Sequence, residues 1–297
     1  MFTIDMLNRL ACPECNNFFV EVKSSLTKNN EIIKGEIFCS SCHREYPINE
    51  GIPNMLPDEL RLQKKPKQGS WREWGKRLGL FKQRMKGWKE EDSRKTITIY
   101  DELLRHFCPI KGSALEVGSG NGVVRHFLDR NAEYWGIDPD KDWILHPLHS
   151  FMEDTFPCLK EPFPFIQGVG EYLPFKDESF DNVIIAATLD HVNSPLQVFE
   201  ESYRVLKSKG QMLLLASIAK RDEAKKEIFS SVGRGFDRLL KGELIGLTKS
   251  LFRRLFERIE PDLFFSIDEI IQLFHRFSGL EIKHYDNTLK FFKAKKK

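Results

Sequence analysis

The stretch that most constrains this chain is Leu115-Glu116-Val117-Gly118-Ser119-Gly120-Asn121-Gly122. Ser113 and Ala114 lead into it as a short apolar run, the pattern of a buried strand. Behind it Val123, Val124, Phe127 and Leu128 recur at helical spacing. The stretch predicts strand, glycine-rich turn and helix, an arrangement that places a ligand at the carboxyl end of the strand. Glycines at 118, 120 and 122 permit a tight turn and a close approach of backbone to that ligand. Alone, such a turn is equally an ordinary strand-to-helix connection.

Two carboxylates narrow the reading. Glu116 lies inside the apolar strand, where an unpaired charge is costly, so it calls for a partner that a ligand can supply. Asp138 closes the next apolar run, Tyr134-Trp135-Gly136-Ile137, where a carboxylate can accept hydrogen bonds from ribose hydroxyls. Both NAD and S-adenosylmethionine carry such a ribose. The dinucleotide fingerprint requires a third glycine or alanine three residues after its second, and Val123 stands there. S-adenosylmethionine has no phosphate and needs no such residue.

With these features the chain resembles the class I S-adenosylmethionine-dependent methyltransferases, in particular the subgroup related to quinone-biosynthesis enzymes. The resemblance runs on through Gly170-Glu171-Tyr172-Leu173-Pro174-Phe175, Asp177-Glu178-Ser179-Phe180-Asp181-Asn182-Val183 and Arg204-Val205-Leu206-Lys207, in the family's order. It implies an α/β, Rossmann-like fold with a seven-stranded, mostly parallel sheet whose last strand is antiparallel. It also implies a cofactor site at Glu116, Gly118, Ser119, Gly120, Asn121, Gly122, Asp138, Gly170, Glu171, Thr188 and Leu189, the last two beside the reactive sulfonium. Where the family often has an acidic residue facing the adenine, this chain has Val169, which puts side-chain recognition of the adenine amine in doubt. Glu171 matches a family position and is equally a helix-start carboxylate. His191 is the histidine placed to act as a general base; a purely structural loop histidine is the alternative.

Cysteine spacing defines a second unit. Cys12-Pro13-Glu14-Cys15 and Cys39-Ser40-Ser41-Cys42 are two CxxC knuckles that can present four thiolates to one metal ion. The gap between them is long, and a hairpin loop at Thr27-Lys28-Asn29-Asn30 would absorb it. Four protein ligands leave no open position, so the expected ion is structural Zn2+, with iron and disulfides as the alternatives. The flanks Leu10-Ala11-Cys12-Pro13, Tyr46-Pro47-Ile48 and Gly51-Ile52-Pro53-Asn54-Met55-Leu56 resemble the small zinc-ribbon proteins that bind and activate methyltransferases. Here the ribbon is fused in cis. A bacterial rRNA guanine methyltransferase family also joins a ribbon to this kind of domain, with a different fourth ligand and flanks.

The expected organisation is a zinc ribbon over 1–60, a basic aromatic linker helix over 61–95 and a methyltransferase domain over 96–292. A helical insertion at 220–262 and a disordered tail at 293–297 complete it. Residues 61–95 hold 13 basic against 4 acidic side chains in a chain whose net charge is only +3. Trp71, Trp74, Leu78, Phe81, Met85 and Trp88 form one apolar helical face there, with breaks expected at Gly75, Gly79 and Gly87. That helix reads as a cap on the core, as a membrane-surface helix, or as an RNA-binding segment. With no signal pattern and no apolar run long enough to span a bilayer, a cytoplasmic protein is expected, its basic segments 61–95 and 220–262 open to a membrane surface or RNA. The functions in play are methyl transfer to a small-molecule, lipid or glycan acceptor, RNA methylation, and non-catalytic activation of another methyltransferase.

Overall fold

The computed structural model describes residues 2–62, 70–86, 90–105, 110–145, 152–218, 265–285 and 288–297. The insertion expected at 220–262 lies outside the described residues. Strands β1 (Phe19–Lys28), β2 (Glu31–Cys39), β3 (Glu45–Asn49) and β4 (Ile52–Pro53) form an antiparallel meander. Asn29 and Asn30 join the first two with φ of 50° and 64°. Two left-handed residues are what a tight two-residue hairpin needs, and asparagine tolerates them. This hairpin absorbs the long gap between the cysteine pairs, as the sequence predicts.

After helices α1 (Asp58–Arg61), α2 (Ser70–Lys86) and α3 (Glu90–Arg105), the second sheet begins. Its parallel strands β5 (Ser113–Val117), β6 (Glu133–Asp138), β7 (Phe165–Gln167) and β8 (Phe180–Ala186) are nearly continuous apolar runs, as strands covered on both faces must be. Short helices α4 (Asp142–Leu145) and α5 (Met152–Thr155) lie between β6 and β7. Helix α6 (Pro195–Val205) follows β8, capped by the Ser194 hydroxyl accepting from the Gln197 amide, and leads into β9 (Leu206–Ser217). Helix α7 (Ile267–Leu273) opens on a Ser266/Glu269 capping box. The hairpin β10 (Phe277–His284) and β11 (Leu289–Lys296) closes the sheet, whose order is β10-β11-β9-β8-β5-β6-β7. β11 pairs antiparallel with both neighbours and every other pair is parallel. This is the seven-stranded, Rossmann-like sheet expected.

The ribbon is not a satellite. Phe2, Leu10, Tyr46 and Met55 share one buried cluster with Leu115, Trp135 and Phe180 of the large sheet and Phe175 of the connection before β8. The Ala11 amide donates to Pro174 O at 3.0 Å and the Lys176 amide to Arg9 O at 3.0 Å. At the free edge of β7 the Met55 amide donates to Gln167 O at 2.8 Å, beside a parallel bridge from Asn54 to Gln167. The chain leaving β4 thereby covers an edge that would otherwise expose unpaired backbone groups.

Four expectations are corrected. The helix after the glycine turn is a single 3-10 turn, Val123–Phe127. Leu128 is extended because it bridges Ile110, with the Asp129 amide donating to Ile110 O at 2.9 Å; pairing overrides the helical pattern. Helix α2 runs unbroken through Gly75 and Gly79, since burial of Trp71 and Trp74 outweighs a glycine penalty of about 1 kcal/mol each. The boundary expected between residues 95 and 96 falls inside α3. Finally, the tail expected at 293–297 continues β11 through Lys296, with Ala294 buried and Lys296 Nζ donating to Leu206 O at 2.7 Å.

Arg9 is the ribbon's deepest charged anchor in this seam. Its guanidinium lies 5.0 Å from the Phe180 ring centroid, 5.5 Å from that of Trp135, and pairs with Glu133 at 2.7 Å. Arg9→Ala is expected to lower stability by about 2 kcal/mol, since it removes a partly desolvated cation from two rings. Urea denaturation followed by tryptophan fluorescence measures it.

Candidate functional site

The carboxyl ends of β5, β6 and β8 are brought level by parallel pairing, with Val117 opposite both Ile137 and Ile185. The glycine turn and the loop after β8 therefore meet above the sheet. Gly118 has φ +72°, and a Cβ there would lie 2.1 Å from Thr188 Cγ2. Only glycine lets the two segments come this close. Gly120 differs: its φ is +50°, and an added Cβ would meet nothing within 4 Å. The middle of the turn faces open space, as a cradle for a ligand must.

Asp138 is buried at the end of β6. Its Oδ2 accepts from the Gly120 amide at 3.1 Å and its Oδ1 from the Asp140 amide at 2.8 Å. These bonds fix the carboxylate beside the glycine turn, and a carboxylate there is a hydrogen-bond acceptor of the kind that hydroxyls seek. Ser119 points inward: a Cβ on Gly136 would touch its Oγ at 2.6 Å. Asn121 lines a cavity of about 350 Å³ with Ile52, Arg125, Trp143, Phe163 and Phe165. Residues of the ribbon, the turn and the connection to β7 thus share one wall. Gly122, at φ 78°, starts the 3-10 turn against Phe163.

Glu116 is 2% exposed, and its Oε2 accepts from the Tyr134 hydroxyl. Burial lifts its carboxyl from 4.5 to about 8, against the lowering effect of that hydrogen bond. The same burial, with Glu116 beside it, holds the Tyr134 phenol well above its ordinary range. The partner that Glu116 calls for is therefore present within the fold.

The other candidates divide between cleft and scaffold. Gly170 is buried against Val117 and Val198. Glu171 turns toward the β8 loop, its Oε1 accepting from the Asn193 amide at 2.6 Å and the Ser194 amide at 3.0 Å. Thr188 Oγ1 lies 3.2 Å from the Gly118 carbonyl, and Leu189 is buried in the core. His191 is half-buried, with Nε2 3.8 Å from Asp190 Oδ2. Its carbonyl accepts from the Trp74 indole at 2.9 Å. Trp71 and Trp74 are buried with Leu56 and Val169, while Arg72 and Lys76 are exposed. The cap reading of the linker therefore holds for these two tryptophans, which are not available to a lipid interface.

Tyr134 and Arg125 are not among the site residues expected from the sequence, and Trp74 is expected only as part of the linker's apolar face. Arg125 lies 4.3 Å from the Phe163 ring centroid and 5.8 Å from that of Tyr134. For Tyr134 a signal exists once strand pairing is considered. Glu116 sits opposite Gly136, which leaves room, and Tyr134 occupies the same face two residues earlier.

The four ribbon cysteines have ligand atoms within 4.8 Å of one another. Cys12 and Cys42 are 3.6 Å apart, as are Cys15 and Cys39. Sulfurs at about 2.3 Å from one ion stand about 3.8 Å apart in a tetrahedron, so the quartet fits a thiolate metal site and is too open for disulfides. The knuckles are built alike. Asn16 and His43 have φ of 56° and 58°, and their amides donate to Cys12 O and Cys39 O at 2.8 and 2.9 Å. Burial pushes the Cys12 thiol up to about 12. At Cys42 burial also raises it, but hydrogen bonds from Arg44 win and bring it to about 6.

A raised native carboxyl stabilises the fold fully below about pH 4.5, and that contribution is lost as pH climbs through about 8. Glu116→Gln stays neutral throughout. Between pH 6 and pH 9 the wild-type melting temperature is expected to fall at least about 2 °C further than that of the variant. Thermal melts at the two pH values measure the difference.

Residues 115–214 match the family described as methyltransferase domain, and residues 4–51 the family described as Trm112p-like protein. An uncharacterized methyltransferase of Mycobacterium tuberculosis is 31% identical over 107 residues, 36% of this chain and 39% of that one. The chain thus spans well under half the length of this relative. The ubiquinone/menaquinone biosynthesis C-methyltransferase of Rickettsia prowazekii is 27% identical over 191 residues, 63% of this chain and 75% of that one. Among solved structures, a Pyrococcus horikoshii protein aligns with 70% of this chain and 93% of its own at a TM-score of 0.47 and 20% identity.

Proposed function

We propose, since the chain carries a class I S-adenosylmethionine-dependent methyltransferase domain behind a Trm112p-like domain, that it transfers a methyl group from S-adenosylmethionine to a small organic acceptor. The observation that carries this reading is the open cradle at Gly120, with the Asp138 carboxylate fixed beside it. When bound, the cofactor supplies a methyl carbon already activated by its sulfonium. The chain's own work is then alignment and exclusion of water. The backbone at Gly118 and Gly120 gives close approach, and Asp138 accepts from two ribose hydroxyls. His191, half-buried beside Asp190, takes the acceptor's proton if the acceptor arrives protonated. Backbone groups around Val169 and Gly170 serve the adenine.

Cys12, Cys15, Cys39 and Cys42 hold Zn2+ in this reading. With four thiolates the ion has no open position and acts by fixing the ribbon. Because the ribbon's core is continuous with that of the large sheet, loss of the ion reaches the whole fold. The relative from Rickettsia, named for quinone methylation, supports a small apolar acceptor. Among the described residues no helix is long and apolar enough to cross a membrane.

Labelled methyl from S-adenosylmethionine, added to an extract with the purified chain, is expected in a nuclease-resistant fraction. Nuclease-sensitive label would make RNA the acceptor. No label, with no binding of S-adenosylhomocysteine, would overturn the methyltransferase reading.

Glycine replacements separate cradle from scaffold. Gly120→Ala is expected to cost about 1 kcal/mol of stability yet weaken S-adenosylhomocysteine binding at least about tenfold by calorimetry. Gly118→Ala, which collides with Thr188, is expected to cost at least about 3 kcal/mol. For the metal, elemental analysis is expected to return one zinc per chain, and Cys12→Ser to lose it together with several degrees of melting temperature.

A further inference from the structure

A buried indole N–H needs an acceptor, and the one that Trp74 has chosen is the backbone of the candidate site. Trp74 Nε1 donates to the His191 carbonyl at 2.9 Å. The surrounding contacts leave the ring little freedom. Trp71 and Trp74 pack edge to face at 5.3 Å between centroids, in a cluster with Leu56 and Leu60 of the segment leaving the ribbon and Val169 of the loop after β7. Helix α2 therefore connects the ribbon's exit to both rims of the cleft.

The loop that receives this hydrogen bond is one short 3-10 turn, Leu189–His191, closed by the His191 amide donating to Thr188 O at 2.9 Å. It opens at Ala187, whose φ of +52° is left-handed, a conformation that costs any residue with a Cβ. Backbone held in such a state persists where surrounding contacts impose it. Besides the Ala187 amide, which donates to Leu215 O at 2.9 Å, contacts from three other segments among the described residues do so. Thr188 is packed onto Gly118, and the Glu171 carboxylate takes the Asn193 and Ser194 amides. Both of these come from within the sheet's own connections. The third, Trp74, reaches in from helix α2.

We propose that Trp74 is a positioning residue for methyl transfer: through the His191 carbonyl it holds the Thr188–His191 turn in the register that the reaction needs. It touches neither cofactor nor acceptor and acts through the loop. Its catalytic consequence rests on the methyltransferase reading above; its grip on the loop does not.

Trp74→Phe keeps an aromatic ring in the cluster and removes the N–H. Trp71→Phe, in the same cluster, is the packing control. Loss of one buried hydrogen bond corresponds to about a tenfold change in an equilibrium or rate. Amide hydrogen exchange at residues 188–194 is expected to quicken about tenfold in Trp74→Phe relative to Trp71→Phe. In the same comparison, methyl transfer at saturating S-adenosylmethionine should fall about tenfold while S-adenosylhomocysteine affinity stays within about twofold. Equal exchange and equal transfer in the two variants would reduce Trp74 to packing and overturn the proposal. Faster loop exchange with unchanged transfer would overturn its catalytic half. If the wild type neither binds S-adenosylhomocysteine nor transfers methyl, the methyltransferase reading fails, and exchange alone still decides whether Trp74 holds the loop.

Discussion

The fold's upper edge depends on one close approach, that of the Gly118 backbone to the Thr188 side chain. A single methyl group at 118 would lie 2.1 Å from Thr188 Cγ2, so β5 and β8 can end side by side only with glycine there. That contact sets how closely the glycine turn and the β8 loop meet, while pairing of β5 with β6 brings Asp138 within reach of the Gly120 amide. The turn is rigid where it touches protein and open where a ligand would lie.

Much of what resembles the methyltransferase family away from that turn is scaffold. Arg204 donates to the Leu173 and Phe175 carbonyls and pairs with Asp177 and Glu201. Lys207 pairs with Asp181, which also accepts from the Ser113 amide and hydroxyl at the amino ends of β5 and β8. These residues tie the connections of β8 and β9 together. The ribbon is joined to this scaffold by main-chain pairing at β7 and by Arg9 over Trp135 and Phe180. A small four-stranded unit with little core of its own thus gains one from its neighbour.

Legibility in the sequence followed the range of the interaction. The Asn29-Asn30 hairpin and the apolar strand before the glycine turn are decided by residues within a few positions, and each stands where expected. The helix after the glycine turn does not, because Leu128 is drawn into a bridge with Ile110 that no local pattern announces. Glycines 75 and 79 predict breaks in α2 that burial of Trp71 and Trp74 overrides. The lysine-rich end looks like a solvated tail, yet its alternate residues Phe292 and Ala294 are covered once β11 lies against β9.

The sequence by itself determined where the apolar strands flanking the glycine turn lie along the chain, the turn with its two carboxylates, and the cysteine quartet. Those features are set by backbone stereochemistry and by ligand chemistry, which the residue types carry with them. Tertiary structure alone decided that Glu116 finds Tyr134, that Glu171 Oε1 takes amides of the β8 loop, and that Trp74 reaches the His191 carbonyl. Each of these joins residues from different elements. Their meeting depends on strand register and helix docking, and those are fixed only when the whole core packs.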